Sequence, residues 1–202
     1  MKATKKNIIE ERFAVVIVRE CLVALTFLHK SGVIHRDMKG CVCYVLPQYL
    51  HSSSLIPAAN ILITHTGRVV LCDFGVSALL TTSQSKRTTF VGTPHWMAPE
   101  VITSGSLYDA KADIWSLGVT IYEMITGGPP HADQLNLRAI ALIPKSKPPR
   151  LPDNAGSKEM KEFVSFCLRE LPAEVCVSTC AIALSLYRTM HSVNCSDRQQ
   201  KS

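Results

Sequence analysis

No stretch of the chain reaches the roughly 18 consecutive apolar residues that a membrane-spanning helix needs, although 47% of its 202 residues are hydrophobic. A secretory signal is missing too: Glu10 and Glu11 precede the first apolar run, and Arg19-Glu20 interrupts it. The expectation is a cytoplasmic protein in a reducing compartment, with no membrane span. There is no dense Lys/Arg run behind the net charge of +6, and no basic stripe interleaved with aromatics. Nucleic acid is therefore not an expected partner. Eight cysteines are present, but Cys41-x-Cys43 and Cys176-x3-Cys180 lack the paired spacing of a zinc site. Five of the eight crowd into two short segments, 40–57 and 175–202, which prove unusual in another way.

The length allows one domain or part of a larger one. Residues 8–30 read as a helix, with Ile17, Cys21, Leu25 and Leu28 at helical spacing, Phe13 and Ala24 on nearby faces, and Gly32 suited to a left-handed cap. Asn60–Ile63 and Val69–Cys72 read as a short hairpin turning at Thr66-Gly67. A second helix over 110–126 is apolar nearly all round, as in a helix buried mid-domain. Asp109 is its expected N-cap, and Gly127-Gly128-Pro129-Pro130 stops it. A shorter helix is expected at 133–142, a proline-rich loop at 144–152, and an amphipathic helix at 157–170 with Ser157 as cap and Met160, Phe163, Val164, Cys167 and Leu168 on one stripe. The fold class is thus mainly α with a short β-hairpin.

Four polar blocks punctuate this frame: Val33-Ile34-His35-Arg36-Asp37-Met38-Lys39, then Asp73-Phe74-Gly75, then Ala98-Pro99-Glu100, then Asp113-Ile114-Trp115-Ser116-Leu117-Gly118. Any one is a weak signal; all four in this order resemble the signature set of protein kinases. The residue types suit phosphoryl transfer, which needs positioning and cations more than covalent help. Asp37 can accept a hydroxyl proton, Lys39 can place a positive charge near the moving phosphoryl group, and Asn60 and Asp73 offer hard oxygens suited to Mg²⁺.

The stretch Gly92-Thr93-Pro94-His95-Trp96-Met97-Ala98-Pro99-Glu100-Val101 and the segment Leu137–Lys145 resemble the sterile-20-like Ser/Thr kinases, and among them the germinal-centre kinases. His95 departs from the Tyr or Phe usual there. The likeness covers about 8–39 and 58–174 and implies a kinase-like fold, C-terminal lobe only. It also implies ATP and Mg²⁺ as cofactors, protein substrates bearing Ser or Thr, and scaffold or activator proteins as partners. By resemblance Asp37 is the catalytic base, and Lys39 marks Ser/Thr specificity and contacts the nucleotide. Asn60 and Asp73 hold the metal and cofactor. Thr93 lines the substrate-facing loop. Thr89, in the Ser/Thr-rich loop 76–92, matches the activating phosphosite, and Arg36 pairs with its phosphate. Asp113 braces the catalytic loop, and Glu100 is structural.

Three departures stand against this pattern. The Gly-rich phosphate loop, the strand lysine and the helix glutamate are missing, since Lys2, Lys5 and Lys6 sit in no V-A-I-K-like strand. Asp37 and Asn60 are 23 positions apart, and removing Gly40 to Pro57, 18 residues, restores the family spacing. That segment reads as a foreign insertion, compatible with a retained intron, and it is expected to displace Asn60. At the far end Val175 replaces the arginine expected to pair with Glu100, so 175–202 reads as a non-family, disordered tail. The reading is a sterile-20-like Ser/Thr kinase in intracellular signalling; the alternative is an inactive lobe that binds proteins.

Overall fold

The computed structural model describes residues 8–40, 42–44, 60–73, 78–79, 93–104 and 109–175. Five helices carry the core: α1 (Glu11–Lys30), α2 (Pro99–Ser104), α3 (Ala110–Thr126), α4 (Asn136–Leu142) and α5 (Lys158–Cys167). Short strands β1 (Val33–Ile34), β2 (Val42–Tyr44), β3 (Ile61–Ile63), β4 (Val69–Leu71) and β5 (Ala78–Leu79) fill the interval between α1 and α2. The expected hairpin is β3–β4, antiparallel in the register Ile61↔Leu71. Two pairings were not legible: β1 with β5, antiparallel, and β2 with β3, parallel. The β2 strand falls within 40–57, the segment expected to be foreign, and its Val42–Tyr44 join the sheet.

α3 is the hub. Twelve of its 17 residues are buried, as its all-round apolar sequence requires. Its Gly118 allows α5 to close in, since a Cβ there would meet Cys167 Cβ at 2.7 Å. α1 lays Ala14, Ile17, Val18, Cys21 and Leu25 into the same core. Its N-terminus is tied down twice: Ile9 N–H donates to Met124 C=O at 2.7 Å, and Glu11 accepts from the Ser157 N–H at 2.7 Å and the Ser157 hydroxyl at 2.5 Å.

Helix ends differ modestly from expectation. α1 begins at Glu11 rather than residue 8, and Gly32 is left-handed after it at φ 73°. Asp109 sits at the N-cap of α3, but its side chain makes no capping bond. Ser157 does cap α5, accepting the Met160 N–H at 3.1 Å. α4 starts at Asn136, because Leu135 is extended and the preceding turn closes at Gln134 N–H to His131 C=O. α5 stops at Cys167, where Leu168 leaves helical geometry and is fully buried. α2 escaped the sequence reading although Pro99 at its first position is a helix-start signal. Among the described residues no helix is long and apolar enough to cross a membrane.

Candidate functional site

Arg36, Asp37, Lys39, Asn60, Thr93 and Asp113, singled out in the sequence, converge where β1 ends against α3. Val33-Ile34 leads into His35, and the next turn of chain is held from below by Asp113. This carboxylate is 1% exposed. Its Oδ2 accepts the His35 N–H at 2.9 Å and contacts His29 Nε2 at 2.7 Å, while Oδ1 accepts the Arg36 N–H at 2.9 Å. Arg36 thereby keeps a left-handed backbone, φ 73°, which costs a non-glycine residue on the order of 1 kcal/mol. His35 is buried, contacts Cys72 C=O through Nε2 at 3.2 Å, and accepts the Asp37 N–H at Nδ1 at 3.3 Å. Those two roles agree only with a neutral ring protonated on Nε2.

Asp37 is the meeting point. Lys39 Nζ lies 2.9 Å from its Oδ2, and the Thr93 hydroxyl donates to Oδ1 at 2.9 Å. Asn60 Nδ2 donates to Oδ2 at 3.0 Å and also to the Asp37 main-chain carbonyl. The expected displacement of Asn60 by the insertion is therefore a correction: its buried amide lies on Asp37. The sheet explains it, because β3 is paired on both sides immediately after Asn60, and Cys72 N–H donates to Asn60 C=O at 3.0 Å.

Asn60 spends its amide N–H on Asp37, which leaves Oδ1 as the acceptor for a cation. Asp73 follows at the same end of the hairpin, exposed and left-handed at φ 63°. One amide oxygen and one carboxylate fit Mg²⁺, which takes few protein oxygens and completes its shell with phosphates and water. Accordingly, no group of three His, Cys, Asp or Glu side chains able to hold a metal exists among the described residues. Cys72 lies between these charges: burial pushes its thiol up, Asp73 adds to the rise, and Lys39 opposes it.

Arg36, Asp37, Thr93, Trp96 and Asp113 line one cleft. Thr89, Phe74 and Gly75 lie outside the described residues. Glu100 sits in α2; burial raises its carboxyl, its own backbone N–H opposes this, and Asp109 adds to it. Glu100 is not left without interactions, and Val175 is instead packed into the core at 5% exposure.

Two residues escaped the sequence reading. His29 lies on the partly buried face of α1 beside Asp113, and nothing in the helical period marks it. Glu123 had a signal: it is a lone carboxylate in the last turns of the otherwise apolar α3. Burial pushes it up to about 7, against a weak opposing effect of the Trp96 indole. Neither Glu123 Oε2 nor Trp96 Nε1 closes a hydrogen bond of good geometry.

The family model for the protein kinase domain matches residues 48–180. Serine/threonine-protein kinase KIC1 of Saccharomyces cerevisiae is 51% identical over 166 residues, 82% of this chain and 14% of that protein. Serine/threonine-protein kinase dst1 of Dictyostelium discoideum is 44% identical over 167 residues, 82% of this chain and 20% of that protein. Misshapen-like kinase 1 of Rattus norvegicus is 42% identical over 172 residues, 83% of this chain and 12% of that protein. The chain thus spans a fifth or less of the length of these relatives.

Proposed function

The chain belongs to the protein kinase family, in its sterile-20-like branch, and from that premise we propose that it is the large, C-terminal lobe of a serine/threonine kinase. The lobe comprises 8–39 and 58–174. Residues 40–57 interrupt it, and 175–202 form a tail of other origin. The reaction is transfer of the ATP γ-phosphoryl group to a Ser or Thr hydroxyl of a protein. A cytoplasmic location fits the free thiols of Cys21, Cys72 and Cys167.

One observation carries the reading: the Asp37 carboxylate is approached by Lys39, Asn60 and Thr93 together, at 2.9, 3.0 and 2.9 Å. Asp37 Oδ1 takes the proton of the attacking hydroxyl as the new oxygen–phosphorus bond forms and the bond to the leaving diphosphate breaks. Thr93 occupies that acceptor position until substrate arrives. Lys39 rests against Asp37 and offers its charge to the transferring group. Asn60 and Asp73 would hold the Mg²⁺, whose charge, when bound, offsets that of the phosphates. Arg36 pairs with a phosphate on Thr89. Asp113 and Glu100 act from behind, on the backbone.

The test is phosphate transfer from ATP to a basic acceptor protein by three polypeptides. These are the chain itself, the chain lacking 40–57, and the latter joined to a kinase small lobe, each beside its Asp37→Asn blank. Activity above the blank in any of them supports the reading; silence in all three overturns it. Activity confined to the third leaves this chain as the alternative, a lobe that binds proteins without catalysing.

A further inference from the structure

A second, open hollow lies on the far side of the 3-10 turn Pro94–Trp96. Its floor is apolar: Trp115, Val119 and Ile143 are 4%, 1% and 8% exposed. Pro130, Pro148 and Pro149 form its walls. Proline has a fixed φ, so these walls are set before any ligand arrives, and little order remains to be imposed on binding.

The ionisable groups that line it are all basic: His95, His131 and Lys147. No carboxylate is among the described lining residues, and Ser146 adds a hydroxyl. His95 is held in place, its Nε2 within 3.1 Å of His131 C=O and 3.2 Å of Gln134 C=O. These carbonyls accept, so Nε2 carries the proton and Nδ1 is the nitrogen left for other partners. An imidazole stands here where the sequence likeness leads one to expect a plain aromatic ring. Lys147 is exposed at the mouth. An apolar floor under a basic rim selects a ligand that is apolar at one end and anionic at the other.

The position says which ligand. His95 is two residues from Thr93, whose hydroxyl rests on Asp37. A chain whose hydroxyl reached Asp37 could continue along this turn and lay a later residue in the cavity. We propose that the cavity is a docking site for an acidic peptide segment of the protein substrate, an apolar side chain entering over Trp115 and a carboxylate or phosphate resting against Lys147 and the imidazoles. The word substrate rests on the function proposed above; the docking itself does not.

The experiment uses the full chain and fluorescein-labelled peptides, read by anisotropy without nucleotide. One probe carries phenylalanine flanked by glutamates, one has lysines in their place, and one replaces a glutamate by phosphoserine. The glutamate probe binds and the lysine probe does not. Lys147→Glu weakens binding by about tenfold or more, with an unchanged thermal melt because Lys147 is exposed. His95→Tyr weakens it to a smaller degree. Tighter binding of the phosphoserine probe assigns the cavity to phosphorylated segments, and equal binding to acidic ones; both support the site. Equal affinity for the glutamate and lysine probes, or indifference to both substitutions, overturns it. Binding of the acidic probe together with no phosphate transfer by any of the three polypeptides removes the kinase reading and keeps the docking site.

Discussion

Asn60 Nδ2 lies 3.0 Å from Asp37 Oδ2, although the two residues are 23 positions apart. The sequence alone suggested that 18 inserted residues would separate them. Closing a loop costs only about 0.6 kcal/mol more for each doubling of its length, so a long excursion is compatible with a preserved anchor. The anchor is the sheet: β3 is paired on both edges directly after Asn60. Replacing Asn60 by Leu keeps the volume and removes the amide. The expected result is a loss of phosphate transfer of at least about 10²-fold in whichever polypeptide is active. Stability should fall by about 1–3 kcal/mol as Asp37 loses a buried donor. Kinase assays paired with urea unfolding check both, and full activity in Asn60→Leu removes Asn60 from the site.

Asp113 gathers three contacts on one buried carboxylate, from His29 and from two successive backbone N–H groups. Asp113→Ala orphans those donors and releases the left-handed Arg36. The expected cost is about 3 kcal/mol or more. His29→Ala removes one partner and leaves the backbone bonds, so its cost is smaller, about 1–2 kcal/mol. In a double-mutant cycle the two effects should not add, because they share one interaction. Additive effects in urea unfolding would show that the 2.7 Å contact carries no energy.

Most of this fold was legible because it obeys periodicity. The apolar face of α1, the all-apolar α3 and the capped stripe of α5 each follow from where their hydrophobic residues recur. The site was legible differently: Asp37, Lys39, Asn60 and Asp73 have no period, and were found only as an ordered set of blocks. What stayed hidden was long-range. The parallel pairing of Val42–Tyr44 with Ile61–Ile63 joins segments whose local sequence carries no record of a partner. His29 looks like any polar residue near a helix end, and its importance comes wholly from Asp113, 84 positions away.

Gly40, next after Lys39, has no space for a side chain. A Cβ there would lie 2.4 Å from Thr120 Cγ2 and 2.9 Å from Glu123 Oε2. Overpacking of this kind costs about 1–3 kcal/mol. Gly40→Ala should therefore lower stability by that amount and loosen the exit from Lys39. Thr120→Ser deletes the obstructing methyl and keeps the hydroxyl, which donates to Ser116 C=O at 2.9 Å. Combining the two substitutions should recover much of the loss. Thermal melts of the two single variants and the pair measure it, and no recovery would place the strain elsewhere than at Thr120.

Glu123 ties this junction to pH. Its carboxyl is pushed up to about 7 in the folded chain, above its ordinary value of 4.5, chiefly because burial disfavours the charge. Between those limits the folded state keeps a proton that the unfolded state has lost. Stability must then fall as pH rises from about 4.5 to about 7, and change no further through this group above that. The whole effect is on the order of 3 kcal/mol. Glu100, raised for the same first cause, contributes with the same sign. Glu123→Gln removes the titration while keeping the shape, so its stability should exceed that of the parent chain at pH 8 and approach it at pH 5. Urea unfolding followed by tryptophan fluorescence across that range supplies the comparison. Parallel pH profiles for the two proteins would mean that water reaches the carboxylate beside Trp96, and that the site carries its charge at neutral pH without cost.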